Sequence, residues 1–235
     1  MEIKGKRVLV TGGAVRIGRA LCEAFAKAGA QVVIHCNTSM VEAEKLRKKL
    51  SGFGHQVVQC DLSSPSETAS LFEQCGKIDI LVNNASIYRL GHFFDEDEAQ
   101  VREQLQVNFL SPVSLMKQLA AQDIDEGCII NFLDQEVAKS TETLNSYALS
   151  KRSLRDATLT AARDGAPRIR VNAIAPGPVL PPVGLNAPGM QKVLNKVPMG
   201  KQIPLEDIIS ACFFLIQNNS LTGQIIYVDG GQHLA

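Results

Sequence analysis

Short apolar runs rich in β-branched residues recur along the chain. They are RVLV (7–10), QVVIH (31–35), QVVQC (56–60), IDILVNN (78–84), CIINFL (128–133), IRVNAIA (169–175) and QIIYVDGG (224–231). Such runs predict strands buried on both faces. Stretches of helical period lie between most of them. Ile17, Ala20, Leu21, Ala24, Phe25 and Ala28 fall three and four apart, and Gly29 follows as a stop. Ser64–Pro65–Ser66–Glu67 reads as a capping box with proline at the first helical position. Further helices are expected over 98–121, 146–163 and 205–217. Strand–helix alternation with right-handed crossovers predicts an α/β fold: one doubly wound, single-domain Rossmann sheet over residues 1–235, with ligands bound beyond the carboxyl ends of the strands. The segment 178–200 breaks the pattern. It carries Pro178, Pro181, Pro182, Pro188 and Pro198 with Gly184, Gly189 and Gly200, and is expected to be a substrate loop over that edge, or a plain surface excursion.

Composition narrows the classes. At 235 residues the chain suits one full core. Its 24 basic and 24 acidic side chains cancel, so no charge excess argues for nucleic acid or an anionic membrane. The six cysteines are scattered without C-x-x-C, which suits reduced core residues of a cytoplasmic protein. The four histidines lack metal-ligand spacing, so no metal is expected. No run approaches the ~20 apolar residues of a membrane span.

Candidate chemistry lies at two places. VLVTGGAVRIG joins the first strand to the first helix, where Gly12, Gly13 and Gly18 allow a tight turn and close approach of backbone to a pyrophosphate. A structural turn is the alternative. The second strand ends VVIHCNTS with no acid to hold a ribose 2′-hydroxyl. Arg16 with Ser39, and Thr38 or His35, would instead suit a 2′-phosphate, which favours NADPH. Asp61 after the third strand is either an acceptor for an adenine amino group or a turn aspartate.

The second place is NFLDQEVAKSTETLNSYALSK (131–151). Tyr147 and Lys151 share a helix face at i and i+4. A tyrosine ordinarily ionises near pH ~10, and a neighbouring ammonium is expected to ease its proton transfer toward neutral pH. Asp134 stands thirteen residues before Tyr147, at the end of the preceding apolar run.

TGGAVRIG, CDL, NNAS, VNF, YALSK, RVNAIAPGPV and TGQIIYVDGG occur in the order found in short-chain dehydrogenases/reductases, and the chain resembles that family over essentially its whole length. The resemblance implies a seven-stranded parallel sheet and a homotetramer. It implies proton transfer by Tyr147, ribose binding and tuning by Lys151, and a water relay supported by Asn108. It implies cofactor contacts from Gly12, Arg16, Ile17, His35, Asn37, Thr38, Ser39, Asp61, Leu62, Asn84, Ala85, Ser86, Lys151, Pro176, Gly177 and Val179.

Most of that family has a serine where this chain has Asp134. The pteridine reductase branch has an aspartate. Arg16 in the phosphate turn, His35 with Ser39 four residues on, and Tyr88 two residues after NNAS are also similar to that branch, although its basic residue before the serine is Thr38 here. This resemblance implies NADPH-dependent reduction of a pterin or folate C=N bond to the tetrahydro form, tetrahydrobiopterin being one such product. Ser86, Tyr88, Asp134, Tyr147 and Pro178 would meet the substrate. An ionised carboxylate suits the donor-rich edge of a pterin, whereas a serine hydroxyl suits a ketone oxygen. The competing readings are a reductase of another carbonyl substrate, such as a 3-oxoacyl thioester or quinone, and a non-catalytic NADP(H)-binding regulator.

Overall fold

The computed structural model describes residues 1–89, 91, 94–138, 145–181 and 187–235. Its seven strands form one parallel sheet. They are β1 (Arg7–Val10), β2 (Gln31–Cys36), β3 (Gln56–Gln59), β4 (Ile80–Asn83), β5 (Gly127–Phe132), β6 (Ile169–Pro176) and β7 (Ile225–Val228), ordered β3-β2-β1-β4-β5-β6-β7. The helices are α1 (Arg16–Lys27), α2 (Met40–Arg47), α3 (Pro65–Cys75), α4 (Glu98–Leu105), α5 (Ser111–Ala121), α6 (Ser146–Gly165), α7 (Ala187–Leu194) and α8 (Leu205–Gln217).

Alternation along each strand divides the core into two layers. Val8, Val10, Val32, Ile34 and Ile80 pack with Leu21 and Phe25 of α1 and Ile208 and Leu215 of α8. Leu9, Val33, Leu81 and Ile129 pack with Leu71, Leu115, Leu119 and Leu154 from α3, α5 and α6. Both faces are thus covered, which is why the strands read as unbroken apolar runs. The strand order reverses between β1 and β4, and the crevice at their carboxyl ends receives the glycine turn and the NNAS segment.

Two local expectations are corrected, and one weakly patterned segment gains a helix. The helix expected over 98–121 is interrupted by a π turn, Gln106–Leu110. Pro112 has no N–H for the carbonyl four residues back, that of Asn108, and the ladder there runs i→i+5, with Ser111 N–H reaching Gln106 O. The weakly patterned segment 178–200 contains α7, while Pro182 and Gly184 lie outside the described residues. The expected capping box is half formed. Ser64 accepts Glu67 N–H at 3.4 Å, but the Glu67 carboxylate turns to the Asp61 N–H at 2.8 Å.

Candidate active site

The glycine turn is held by its neighbours rather than by its own sequence. Gly12 sits at φ +61, and Arg16, which is not a glycine, sits at φ +53, a conformation that costs a side chain about 1–3 kcal/mol. A Cβ on Gly18 would fall 2.1 Å from Gly12 O and 2.7 Å from Asn84 Nδ2. Asn84 closes this knot by donating to Thr11 O at 2.8 Å and Gly12 O at 3.3 Å. Val15 precedes α1 without a side-chain cap, so the first N–H groups of the helix are left for a ligand.

His35 lies under this turn and is 2 % exposed. Gly12 N–H donates to its Nδ1 at 3.1 Å, and its Nε2 faces Cys60 O at 3.0 Å. These partners make Nδ1 the acceptor and Nε2–H the donor. Burial then pushes the imidazole down to about 4. The ring is therefore neutral and pins the turn, and it also lines the adjoining cleft.

A cleft of about 350 Å³ opens beside the turn. Gly12, Arg16, Ile17 and Gly18 form one wall, Asn37, Asp61 and Leu62 the second, and Asn84, Ala85 and Ser86 the third. Ser63, Ile87, Glu103 and Val107 also line it; of these only Val107 falls in a motif, VNF. Asp61 accepts Ser63 N–H at 2.8 Å and Asn37 Nδ2 at 3.2 Å through the same oxygen, so it serves as a turn aspartate and still presents Oδ2. Arg16 reaches across to the carbonyls of Leu180 (3.3 Å) and Pro181 (3.0 Å). Thr38, Ser39, Pro176, Gly177, Pro178 and Val179 stand outside this lining. Val179 is instead a core residue, 3 % exposed, and Pro178 O accepts Ile203 N–H at 3.0 Å. Gly177 is required by packing, since its Cβ would lie 2.7 Å from Asp229 Cα.

Asn108 is fully buried and its side chain is committed. Its Oδ1 accepts Ser86 Oγ–H (3.1 Å) and Ile87 N–H (2.9 Å), and its Nδ2 donates to Ile87 O (2.9 Å). The side chain therefore clamps the segment after β4. Any relay role falls to its main chain, where the π turn reroutes the ladder.

Tyr147 and Lys151 share a face of α6 at the spacing read from the sequence, and Asp134 meets them there. Tyr147 Oη donates to Asp134 Oδ2 at 2.9 Å, while Asp134 Oδ1 accepts Glu136 N–H at 2.9 Å. Lys151 Nζ donates to Phe132 O at 2.9 Å and lies 5.9 Å from the Tyr147 ring centre. Tyr88 meets Tyr147 edge to face, with ring centres 4.7 Å apart, and is 57 % exposed. It is thus an aromatic surface open to a ligand. The electrostatics correct one expectation. Burial first, and then the Asp134 carboxylate, hold the Tyr147 phenol well above its ordinary value rather than below it. Burial brings Lys151 down to about 8 against a smaller opposing pull from Asp134. Residues 139–144 of this stretch lie outside the described residues. Among the described residues there is no metal-ligand cluster and no helix long and apolar enough to cross a membrane.

A family model described as enoyl-(acyl carrier protein) reductase matches residues 13–233. D-erythrulose reductase of Gallus gallus is 30 % identical over 241 residues, covering 98 % of this chain and 97 % of that one. Among solved structures, FolM alternative dihydrofolate reductase 1 from Brucella canis, complexed with NADP, has a TM-score of 0.92 and 38 % identity, covering 100 % of this chain and 97 % of that one. The same-named protein from Brucella suis, in complex with NADP, has a TM-score of 0.90 and 39 % identity, covering 98 % and 96 %.

Proposed function

The chain belongs to the short-chain dehydrogenase/reductase family, and from that premise we propose that it is an NADPH-dependent reductase of a dihydropterin or dihydrofolate. The observation that carries this reading is Asp134 bonded to Tyr147 at 2.9 Å, a carboxylate where a ketone reductase needs a hydroxyl. The open ring of Tyr88 beside it is suited to stack on a planar heterocycle.

The cleft fits the cofactor. Gly18 lets Gly12 O and Asn84 Nδ2 close against the start of α1 and so fixes the turn, the uncapped start of α1 offers N–H groups to a pyrophosphate, and Arg16 adds the charge. Asp61 Oδ2 is available to an adenine amino group. The NADP-bound Brucella structures support the same assignment. Held in this cleft, NADPH would supply a hydride from its nicotinamide C4.

The chain's residues supply the proton and the orientation. Asp134 accepts hydrogen bonds from the amino-pyrimidine edge of the substrate, as a carboxylate does for a guanidine-like group. Tyr147 Oη holds the proton destined for the ring nitrogen of the C=N bond, while the ring carbon takes the hydride. A phenolate left beside Asp134 is unfavourable, so it regains a proton from solvent water, with Lys151 as the neighbouring acid. Lys151 assists as the nearby cation, and its lowered pKa makes it the readier acid.

The test is oxidation of NADPH by wild type and Asp134→Ser, with dihydrobiopterin, dihydrofolate, D-erythrulose and a β-keto ester as substrates. Turnover of the pterins, lowered roughly 10²-fold or more in the variant, is expected. Turnover of the keto compounds alone, untouched by the variant, would overturn the proposal. That outcome would favour the second reading, a carbonyl reductase, for which the D-erythrulose reductase at 30 % identity argues.

A further inference from the structure

We infer that Glu96 is a positioning residue that sets the two tyrosines of the site through the start of α6. Its carboxylate receives the residue immediately before Tyr147 twice over. Ser146 N–H donates to Oε2 at 2.8 Å and Ser146 Oγ–H to Oε1 at 2.6 Å. Gln104 of α4 completes the cluster. Its Nε2 donates to Ser146 Oγ at 2.5 Å and to Glu96 Oε1 at 3.4 Å, and its Oε1 accepts Arg89 N–H at 3.0 Å. Arg89 directly follows Tyr88. One carboxylate, one amide and one hydroxyl therefore tie the backbone beside Tyr88 to the backbone beside Tyr147.

The cluster has little freedom to rearrange. Gln104 is 0 % exposed and Ser146 2 %, so each polar atom needs its partner. Asn145 caps Ala148 N–H at 3.0 Å but leaves the Ser146 N–H to Glu96. The negative charge also suits the N-terminal end of α6. Gly91 makes room for it: a Cβ there would stand 2.8 Å from Glu96 Cγ. Proton donation depends on where Tyr147 Oη points, and a displacement of ~1 Å is enough to cost about 10²-fold in rate. The inference rests on Tyr147 being the proton donor, not on the substrate being a pterin.

The donor count makes the test specific. In Glu96→Gln, the introduced amide nitrogen and Gln104 Nε2 both face Ser146 Oγ, and the serine hydroxyl proton loses its acceptor. Adding Gln104→Glu restores the balance. The carboxylate introduced on α4 then accepts from Arg89 N–H and Ser146 Oγ–H. The amide that replaces the Glu96 carboxylate accepts Ser146 N–H and donates to Ser146 Oγ.

The chain has three tyrosines and no tryptophan. NMR of protein labelled with carbon-13 at tyrosine Cζ therefore gives few signals, assigned by Tyr147→Phe and Tyr88→Phe. Glu96→Gln is expected to shift the Tyr147 signal and lower kcat about 10-fold, with KM for NADPH nearly unchanged; the double variant is expected to return both toward wild type. Ser146→Ala, which keeps the backbone leg, is expected to shift the same signal by less, and serves if Glu96→Gln does not fold. A folded Glu96→Gln with the Tyr147 signal and kcat in place would overturn the inference, as would a double variant that restores neither. Full activity in Tyr147→Phe would instead sink the proton-donor reading, leaving the NMR comparison to decide the positioning by itself.

Discussion

Lowering the pH asks His35 to take a proton that its surroundings refuse. The unfolded chain binds that proton near the ordinary value of 6.5, whereas the folded protein resists until about 4. Protonation is costly because Nδ1 then meets the Gly12 N–H with a second donor, and because the charge is buried. The full stability contribution of a neutral His35 is present above pH 6.5, is lost as the pH falls, and is exhausted near 4. Comparing proton uptake by the two states gives a loss of about 1.4 kcal/mol at pH ~5.5 and about 2.5 kcal/mol at pH ~4.5. Glutamine can offer an acceptor and a donor in place of the ring without titrating. Urea unfolding of wild type and His35→Gln at pH ~7.5, ~5.5 and ~4.5 isolates the effect, because every other titrating group is shared. The variant is expected to be less stable near neutrality, by about 1–3 kcal/mol for imperfect pairing, and to lack the acid increment. Parallel pH curves for the two proteins would refute the reasoning.

Other perturbations follow from the same geometry. Gly18→Ala places a Cβ 2.1 Å from Gly12 O, so NADPH binding, followed by the cofactor's fluorescence, is expected to be lost; wild-type affinity would contradict the cradle. Asn108→Ala unpairs Ser86 Oγ–H, Ile87 N–H and Ile87 O, and should cost about 3 kcal/mol of stability in chemical denaturation. Arg16→Ala removes an exposed side chain and should leave stability within ~0.5 kcal/mol while weakening NADPH about 10-fold in an equilibrium titration. Because Lys151 is brought down to about 8, its ammonium is present below that pH and lost above it, so kcat/KM should fall as the pH rises through about 8. A basic limb appearing only near pH ~10 would contradict that assignment.

Much of this protein is written in windows of a few residues. The strands β1 to β7 follow from apolar runs that a doubly covered sheet requires, and α8 begins and ends where its periodicity does. The glycine turn and the Tyr147–Lys151 pair were legible for the same reason, since each is a fixed spacing on one local element. The place of Asp134 beside Tyr147 was implied by the family resemblance, and the hydrogen bond between them belongs to the folded structure. What the tertiary structure decided was the choice of partner. Whether His35 carries charge depends on Gly12 and Cys60, twenty-three and twenty-five residues away. Asn108 looked like part of a relay and is bound to Ser86 and Ile87. Glu96 had no motif at all, and acquires its place from Ser146, fifty residues on. Tyr147 is raised rather than lowered because burial and a carboxylate act on it, while Lys151 is held by Phe132 O. Periodicity is a property of neighbours along the chain, whereas hydrogen-bond pairing and desolvation belong to groups that meet only when the sheet has formed.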